Sequence, residues 1–144
     1  DFAIRVSLLI PAFLIFQVPL HATLLLMPLV VVLLIMWGMA LGLFLMPVGS
    51  LYHDVGRFLA LAMPFWMILT PVIYVLPKNR FGELLVWLNP ASPLLMLARD
   101  WTLLGSSTAP AAALVYAAVA VPAFLVGLIV YRVSLPILIE RMSA

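Results

Sequence analysis

The sequence has no cysteine and few charged residues. The absence of cysteine excludes disulfides, thiolate metal sites and cysteine nucleophiles. Charged residues make up 8% of the 144 positions, against roughly 25% in an ordinary soluble domain. A soluble globule needs polar side chains to cover its surface. The composition therefore excludes a soluble enzyme, a nucleic-acid-binding domain and a disordered tail.

Long uncharged stretches take the place of a polar surface. Hydrophobic residues form 67% of the chain, and the mean hydropathy is +1.31. A membrane-crossing helix needs about 20 apolar residues. The pattern predicts an all-α integral membrane protein, a single transmembrane domain over 1–144. Its four predicted spans are about 2–20, 22–46, 58–76 and 110–131. Because the chain begins with Asp1 and no signal peptide is recognisable, we expect a piece of a longer protein.

Two connecting regions separate the predicted spans. Pro47 is predicted to end the second span and to open a polar connector over 47–57. The region 77–109 is too polar to span the membrane and too apolar for an ordinary loop. It predicts a re-entrant or interfacial hairpin of two short helices, the second ending near Leu104. The residues that mark its boundaries are Asn89 and Pro90 at a break, Ser92 as N-cap, Pro93 at the first helical position and Gly105 as a stop.

The basic residues give a predicted orientation. With four crossings, the connector 47–57 shares one side with both termini, and this side carries four bases. The opposite side, which holds the hairpin and the turn at His21, carries three. The positive-inside rule therefore places the termini in the cytoplasm. The bases are Arg5, Arg57, Arg132 and Arg141 on the first side, and Lys78, Arg80 and Arg99 on the second.

The sequence offers little catalytic chemistry. His53 and Asp54 form an adjacent pair that in an enzyme is a candidate acid–base couple, but no serine or cysteine nucleophile accompanies them. The alternative, which we favour, is a polar connector in which Asp54 caps the next helix and the surface contacts a partner. No HExxH, GxSxG or P-loop pattern is present, so we expect ATP hydrolysis to occur elsewhere.

The positions of the glycines and of the aromatic residues can each be interpreted in two ways. Gly38 and Gly42 form a GxxxG pattern, which favours close helix packing at a dimer seam; glycine is also simply common in membrane helices. Phe65 and Trp66 lie deep in the third span, where they either line a path for sugars or fill space. Interfacial aromatic positions are typical of span ends, and the sequence has Tyr74, Trp87 and Trp101 there.

Several short motifs in a fixed order resemble the membrane subunits of type-two ABC exporters, specifically the polysaccharide and O-antigen export permeases. The resemblance covers nearly the whole chain. The motifs are Leu51-Tyr52-His53-Asp54-Val55-Gly56-Arg57, Phe65-Trp66 through Thr70-Pro71 to Tyr74, Leu88-Asn89-Pro90, and Ala98-Arg99-Asp100-Trp101.

The resemblance implies a six-span subunit that works as a homodimer with two ATP-binding subunits, which hold the ATP and Mg²⁺. This chain would be its C-terminal four spans in the bacterial inner membrane, and no cofactor is expected on it. The connector with Tyr52, His53, Asp54 and Arg57 would meet the ATPase. The family often has Asn at Gly49 and Arg at His53, so only Tyr52 and Asp54 are carried over firmly.

The resemblance also implies a pathway and an external gate. Phe65, Trp66 and Tyr74 are the pathway candidates. The gate candidates are Trp87, Asn89, Pro90, Arg99, Asp100 and Trp101. The expected cargo is a lipid-linked polysaccharide of O-antigen, capsule or teichoic-acid type. The alternatives are an ABC exporter of a drug or a lipid, and a membrane-embedded enzyme acting on lipid-linked sugars.

Overall fold

The computed structural model describes residues 21–72, 74, 79–103 and 105–143, with Ser7, Pro11 and Ile15 as isolated positions. The predicted span 2–20, with Arg5, otherwise lies outside the described residues, as does Lys78. The described chain is all helical, as predicted. A 3-10 helix at Ala22–Leu26 precedes α1 (Met27–Leu51), α2 (His53–Leu69), α3 (Arg80–Leu88), α4 (Ala91–Leu103) and α5 (Pro110–Ser143).

Within the described part of the chain, two helices are long and apolar enough to cross a membrane. They run over Ala22–Leu51 and Pro110–Glu140, and the bent pair α3–α4 adds a third if it counts as one span. Large apolar side chains cover their outer faces, for example Leu25 at 85% and Leu114 at 70% exposure. This surface suits a lipid environment and not water.

The residues of the predicted connector 47–57 are almost entirely helical, and the prediction that Pro47 ends the second span was wrong. Pro47 lies inside α1, which continues to Leu51. A proline removes a single backbone donor, and a membrane helix tolerates that loss. Tyr52 is the one residue between α1 and α2; it is extended (φ −126°, ψ 108°), and its N–H donates to the Val48 carbonyl at 3.0 Å.

The second helix is shifted relative to the predicted span 58–76. It begins at His53 and ends at Leu69. The helix ends there because Pro71 disfavours helical dihedrals at Thr70. Thr70 is accordingly extended (φ −90°, ψ 127°). At 1.5 Å per residue, the 17 residues of α2 extend about 25 Å. Pro64 lies within this helix.

The region after α2 forms the predicted pair of short helices. The helices α3 and α4 meet at 104°. The Asn79 side chain caps α3 by accepting from the Gly82 N–H at 2.9 Å. Gly105 follows α4 with φ +68°, as expected for a helix stop.

The predicted N-cap of α4 was wrong. The helix begins at Ala91, whose N–H donates to the Asn89 side-chain oxygen at 3.0 Å. Ser92 therefore lies inside the first turn, where its hydroxyl is buried without a hydrogen-bond partner among the described residues. An asparagine two positions upstream of Ala91 supplies the local turn that Ser92 was expected to provide.

The last helix extends well past its predicted end at 131. It is continuous from Pro110 to Ser143 and contains Pro122 and Pro136. Apolar residues lie on both sides of Pro136. The helix therefore continues through the proline, at the cost of one backbone hydrogen bond.

The core sits where α1, α4 and the first part of α5 meet. Its buried side chains are Val30, Leu94, Leu97 and Ala113. Contacts advance together along α1 and α5, from Val30 and Ala113 to Ala40 and Gly127, so these two helices run in the same direction. Both begin beside the α3–α4 pair. Tyr52 and the end of α5 consequently lie at the opposite end of the bundle.

Candidate functional site

An apolar groove of about 700 Å³ lies between α1 and α2. Its volume is within the range of about 300–1,000 Å³ typical of ligand sites. The α1 wall consists of Leu34, Trp37, Gly38, Leu41, Gly42, Leu45, Met46, Gly49 and Ser50. The α2 wall consists of Val55, Gly56, Leu59, Ala62, Met63 and Trp66. Asn89, Pro90 and Ala91 close one end.

The groove exists because its walls carry small residues. Adding a Cβ atom at Gly38, Gly42 or Gly56 would meet no atom within 4 Å. The GxxxG pair of α1 therefore lies on an open wall, and no helix of the described chain packs on it. Its packing against a second chain stays a prediction.

A glycine that the sequence reasoning did not select makes the close helix contact. A Cβ atom at Gly127 would lie 3.2 Å from the Ala40 carbonyl oxygen and 3.3 Å from the Leu43 Cβ. The absent side chain of Gly127 thus brings α5 against α1. The available signal was a lone glycine in a long apolar helix, which has no spacing pattern to distinguish it.

A buried polar pair lies at the α3–α4 end of the groove. Asn89 and Thr70 are each 5% exposed. The Asn89 Nδ2 donates to the Thr70 hydroxyl oxygen at 2.7 Å, while the Thr70 hydroxyl donates to the Trp66 carbonyl at 2.8 Å. The predicted gate residue Asn89 therefore joins α2 to the α3–α4 break. Thr70 is a partner that the sequence reasoning missed.

The three predicted pathway residues occupy different surroundings. Trp66 lines the groove. Phe65 is 69% exposed and is not part of the groove wall. Tyr74 lies beyond the end of α2, where its hydroxyl donates to the Ile68 carbonyl at 2.9 Å. A pathway role for Phe65 and Tyr74 stays a prediction.

Trp37 is a second groove tryptophan, which the sequence reasoning did not select. Its indole N–H donates to the Tyr116 carbonyl at 3.0 Å, and the two rings meet edge to face with centroids 5.7 Å apart. The Tyr116 hydroxyl in turn donates to the carbonyl of Trp87, a predicted gate residue that is 52% exposed. This chain of contacts connects the groove wall to α3.

Asp100 is the most buried charged group among the described residues, at 2% exposure. Its carboxylate accepts from the Thr108 N–H at 2.7 Å and from the Thr108 hydroxyl at 2.5 Å. The Arg99 Nε lies 3.9 Å from its other oxygen. These bonds fix the segment that leads into α5, so the role they show for Asp100 is structural.

Trp101, another predicted gate residue, packs on the core. Its ring contacts the cluster of buried residues between α1, α4 and α5. The Thr23 hydroxyl donates to its backbone carbonyl at 2.7 Å. Trp101 is thus partly buried against the core, and an interfacial or gate role for it stays a prediction.

The predicted ATPase connector is exposed at the far end of the bundle. Tyr52 is 63% exposed. Asp54 and Arg57 form an ion pair at 3.7 Å with side chains 93% and 86% exposed. Asp54 lies in the first turn of α2 but makes no capping hydrogen bond, because Tyr52 holds the N-cap position. The prediction that Asp54 caps the helix was wrong, although its charge suits the positive end of the helix dipole.

The polar groups at the two ends of the bundle are far apart. Asp54 follows the end of α1, while Asp100 lies beside the segment that precedes its start. The 25 residues of α1 correspond to about 37 Å. Among the described residues, no three His, Cys, Asp or Glu side chains are placed to bind a metal ion.

Comparison with known proteins found no matching protein family, curated protein or solved structure.

Proposed function

We propose that this chain is part of the permease of an ATP-driven ABC exporter that moves lipid-linked polysaccharide across the bacterial inner membrane. The observation that carries the proposal is the apolar groove between α1 and α2. The groove is of ligand size, has a tryptophan on each wall and ends at the buried Asn89–Thr70 pair. These properties suit an amphipathic cargo that enters from the bilayer.

The two parts of such a cargo require different surfaces. A lipid chain is accommodated by the apolar side chains and glycines of the groove. A sugar ring has apolar faces that stack on aromatic rings, and Trp37 and Trp66 offer those rings. The bent pair α3–α4 would act as a re-entrant external gate in a four-span fragment with cytoplasmic termini.

The exposed connector would receive the driving force. Tyr52, Asp54 and Arg57 project at the end opposite the α3–α4 pair. An ATP-binding subunit docked there would hold ATP and Mg²⁺ and transmit its closure to α1 and α2 together. The permease would act as a homodimer.

A second candidate function is export of a lipid or an apolar drug. The observation in its favour is the groove lining, in which Ser50, Asn89 and Trp indole groups are the few polar features. An apolar cargo would need no sugar-binding surface. The membrane-enzyme alternative has less support, because the polar groups of Asp54 and Asp100 are separated by the length of α1.

The proposal is tested by purifying the intact protein in mild detergent and identifying an ATPase that co-purifies. We expect a stable ATPase whose hydrolysis loses its dependence on the permease in Tyr52→Ala and Asp54→Asn. The matched control is Glu83→Gln, which removes a carboxylate from α3 at the opposite end of the bundle. It should leave the dependence of ATP hydrolysis on the permease intact. A folded permease that retains no ATPase would contradict the exporter function.

The cargo is tested separately by measuring surface glycan in cells that express Trp66→Ala. We expect reduced glycan at normal protein levels if Trp66 contacts the sugar. Normal glycan with impaired export of a lipid probe would favour the second candidate.

A further inference from the structure

The helix α2 has little support along its length. None of its described side chains is buried, and Leu61, Phe65 and Ile68 are each more than 60% exposed. On its inner side it faces the open groove. At its first residue it is joined to α1 through Tyr52 alone. Its position over the groove therefore depends strongly on what holds its other end.

That other end is held by the Thr70–Asn89 pair. The Thr70 hydroxyl accepts from Asn89 Nδ2 at 2.7 Å and donates to the Trp66 carbonyl in the last turn of α2. The Asn89 Oδ1 accepts from the Ala91 N–H at the start of α4. One hydroxyl and one amide thus connect the C-terminal turn of α2 to the α3–α4 break.

The burial of both residues strengthens this connection. Both residues are 5% exposed, so water cannot readily replace the bond. Breaking it inside an apolar region would leave an amide donor unsatisfied. A second contact is weaker: Arg99 Nη1 donates to the Tyr74 carbonyl at 3.4 Å in an exposed position.

The body to which α2 is fastened is itself rigidly packed. The helix α4 contributes Leu94 and Leu97 to the buried core with α1 and α5. Asn89, at the break before α4, is therefore attached to that core. A movement at Thr70 changes the distance between α2 and the core, and hence the width of the groove.

We propose that the Thr70–Asn89 hydrogen bond is a latch that keeps the groove narrow, and that its release lets α2 pivot about Tyr52 and widen the groove. A role of this latch in transport rests on the proposed function, because the pivot at Tyr52 lies in the connector that would meet the ATPase. Thr70 and Asn89 are positioning residues in this inference.

The test measures a distance and requires no transport. The sequence contains no cysteine, so spin labels can be placed at Met67→Cys on α2 and Leu114→Cys on α5, which are 57% and 70% exposed. The intact protein is studied in lipid nanodiscs, diluted with unlabelled protein so that pairs within one chain dominate. We expect Thr70→Val and Asn89→Ala each to lengthen and broaden the distance distribution.

Three variants separate the latch from a general loss of structure. Thr70→Ser keeps the hydroxyl and should restore the parental distance. Thr102→Val removes a comparable hydroxyl, which donates only within α4, and should leave the distance unchanged. The double variant Thr70→Val/Asn89→Ala should give the same distance as either single variant, because each single variant already removes the Thr70–Asn89 bond and the latch predicts that this bond alone sets the distance.

Parental distances in Thr70→Val, or an equal shift in Thr102→Val, would overturn the latch. If Thr70→Val does not fold, the distances in Asn89→Ala and Thr70→Ser are compared instead. A parental distance in Asn89→Ala would then overturn the latch. The proposed function would be contradicted by a different result, namely that no ATPase co-purifies with the folded protein.

Discussion

The helix α1 has two long neighbours, and it meets them in opposite ways. On one side Gly127 brings α5 against the backbone of Ala40, and Trp37 bonds to Tyr116 across the contact. On the other side Gly38 and Gly42 face open space. We refer to the first contact as the α1–α5 seam.

The comparison shows that a glycine creates space without determining its use. Where a second backbone enters that space, close helix packing results. Where none enters, a groove remains. The sequence pattern GxxxG falls on the groove side, and the isolated glycine falls on the seam side. The local spacing of small residues is therefore a weak guide to which faces of a helix are occupied.

The largest stability effect is expected at Asp100, which holds the segment that leads into α5. Asp100→Ala removes two hydrogen bonds from Thr108 to a buried carboxylate, and bonds to charged groups contribute about 1.5–3 kcal/mol each. We expect the free energy of unfolding to fall by about 3 kcal/mol in a detergent titration with SDS. The control is Asp54→Ala, which should have little effect because its side chain is 93% exposed. Equal losses in both variants would remove the distinction between the two ends of the bundle.

A matched pair of glycine variants addresses the comparison directly. Gly127→Leu forces a side chain into the 3.2 Å approach to Ala40, and overpacking typically costs about 1–3 kcal/mol. Gly42→Leu enters the groove, so we expect a near-parental unfolding midpoint together with a reduction of the export that we propose. Thermal unfolding and export are measured on both. A destabilised Gly42→Leu with a stable Gly127→Leu would reverse the assignment of seam and groove.

A smaller effect distinguishes the two tryptophans of the groove. Trp37→Phe keeps an aromatic ring but loses the hydrogen bond to the Tyr116 carbonyl, which corresponds to about 1 kcal/mol. The indole N–H of Trp66 has no such partner in the described part of the chain, so Trp66→Phe should cost less. Both are compared by SDS titration against the parent. If Trp66→Phe proves the more destabilising, α2 is held by contacts other than those described.

The sequence predicted the helical class and the boundaries that depend on local chemistry. The Asn89-Pro90 break and the Gly105 stop follow from backbone preferences, and both are observed. The prediction that Pro47 ends a helix failed because a proline ends a helix only when the loss of its backbone hydrogen bond is not tolerated. Within an apolar run, whether this loss is tolerated depends on the surroundings of the helix.

The candidate site was only partly predictable. Asn89 and Trp66 were selected from the sequence. The proposed latch, however, pairs Asn89 with Thr70, 19 positions away, and the groove wall opposite Trp66 carries Trp37, 29 positions away. Pairings over such distances have no periodic signal in one sequence. The same limit applies to Asp100, whose partner Thr108 follows a helix end.

By itself, the sequence determined that this chain consists of apolar helices with breaks at particular prolines, asparagines and glycines. These are consequences of hydropathy and of backbone dihedrals, which act over a few residues. The tertiary structure alone decided which face of α1 is packed and which is open. That choice depends on the fit of distant helices, because a glycine and its neighbour stabilise a contact only when a second backbone reaches them.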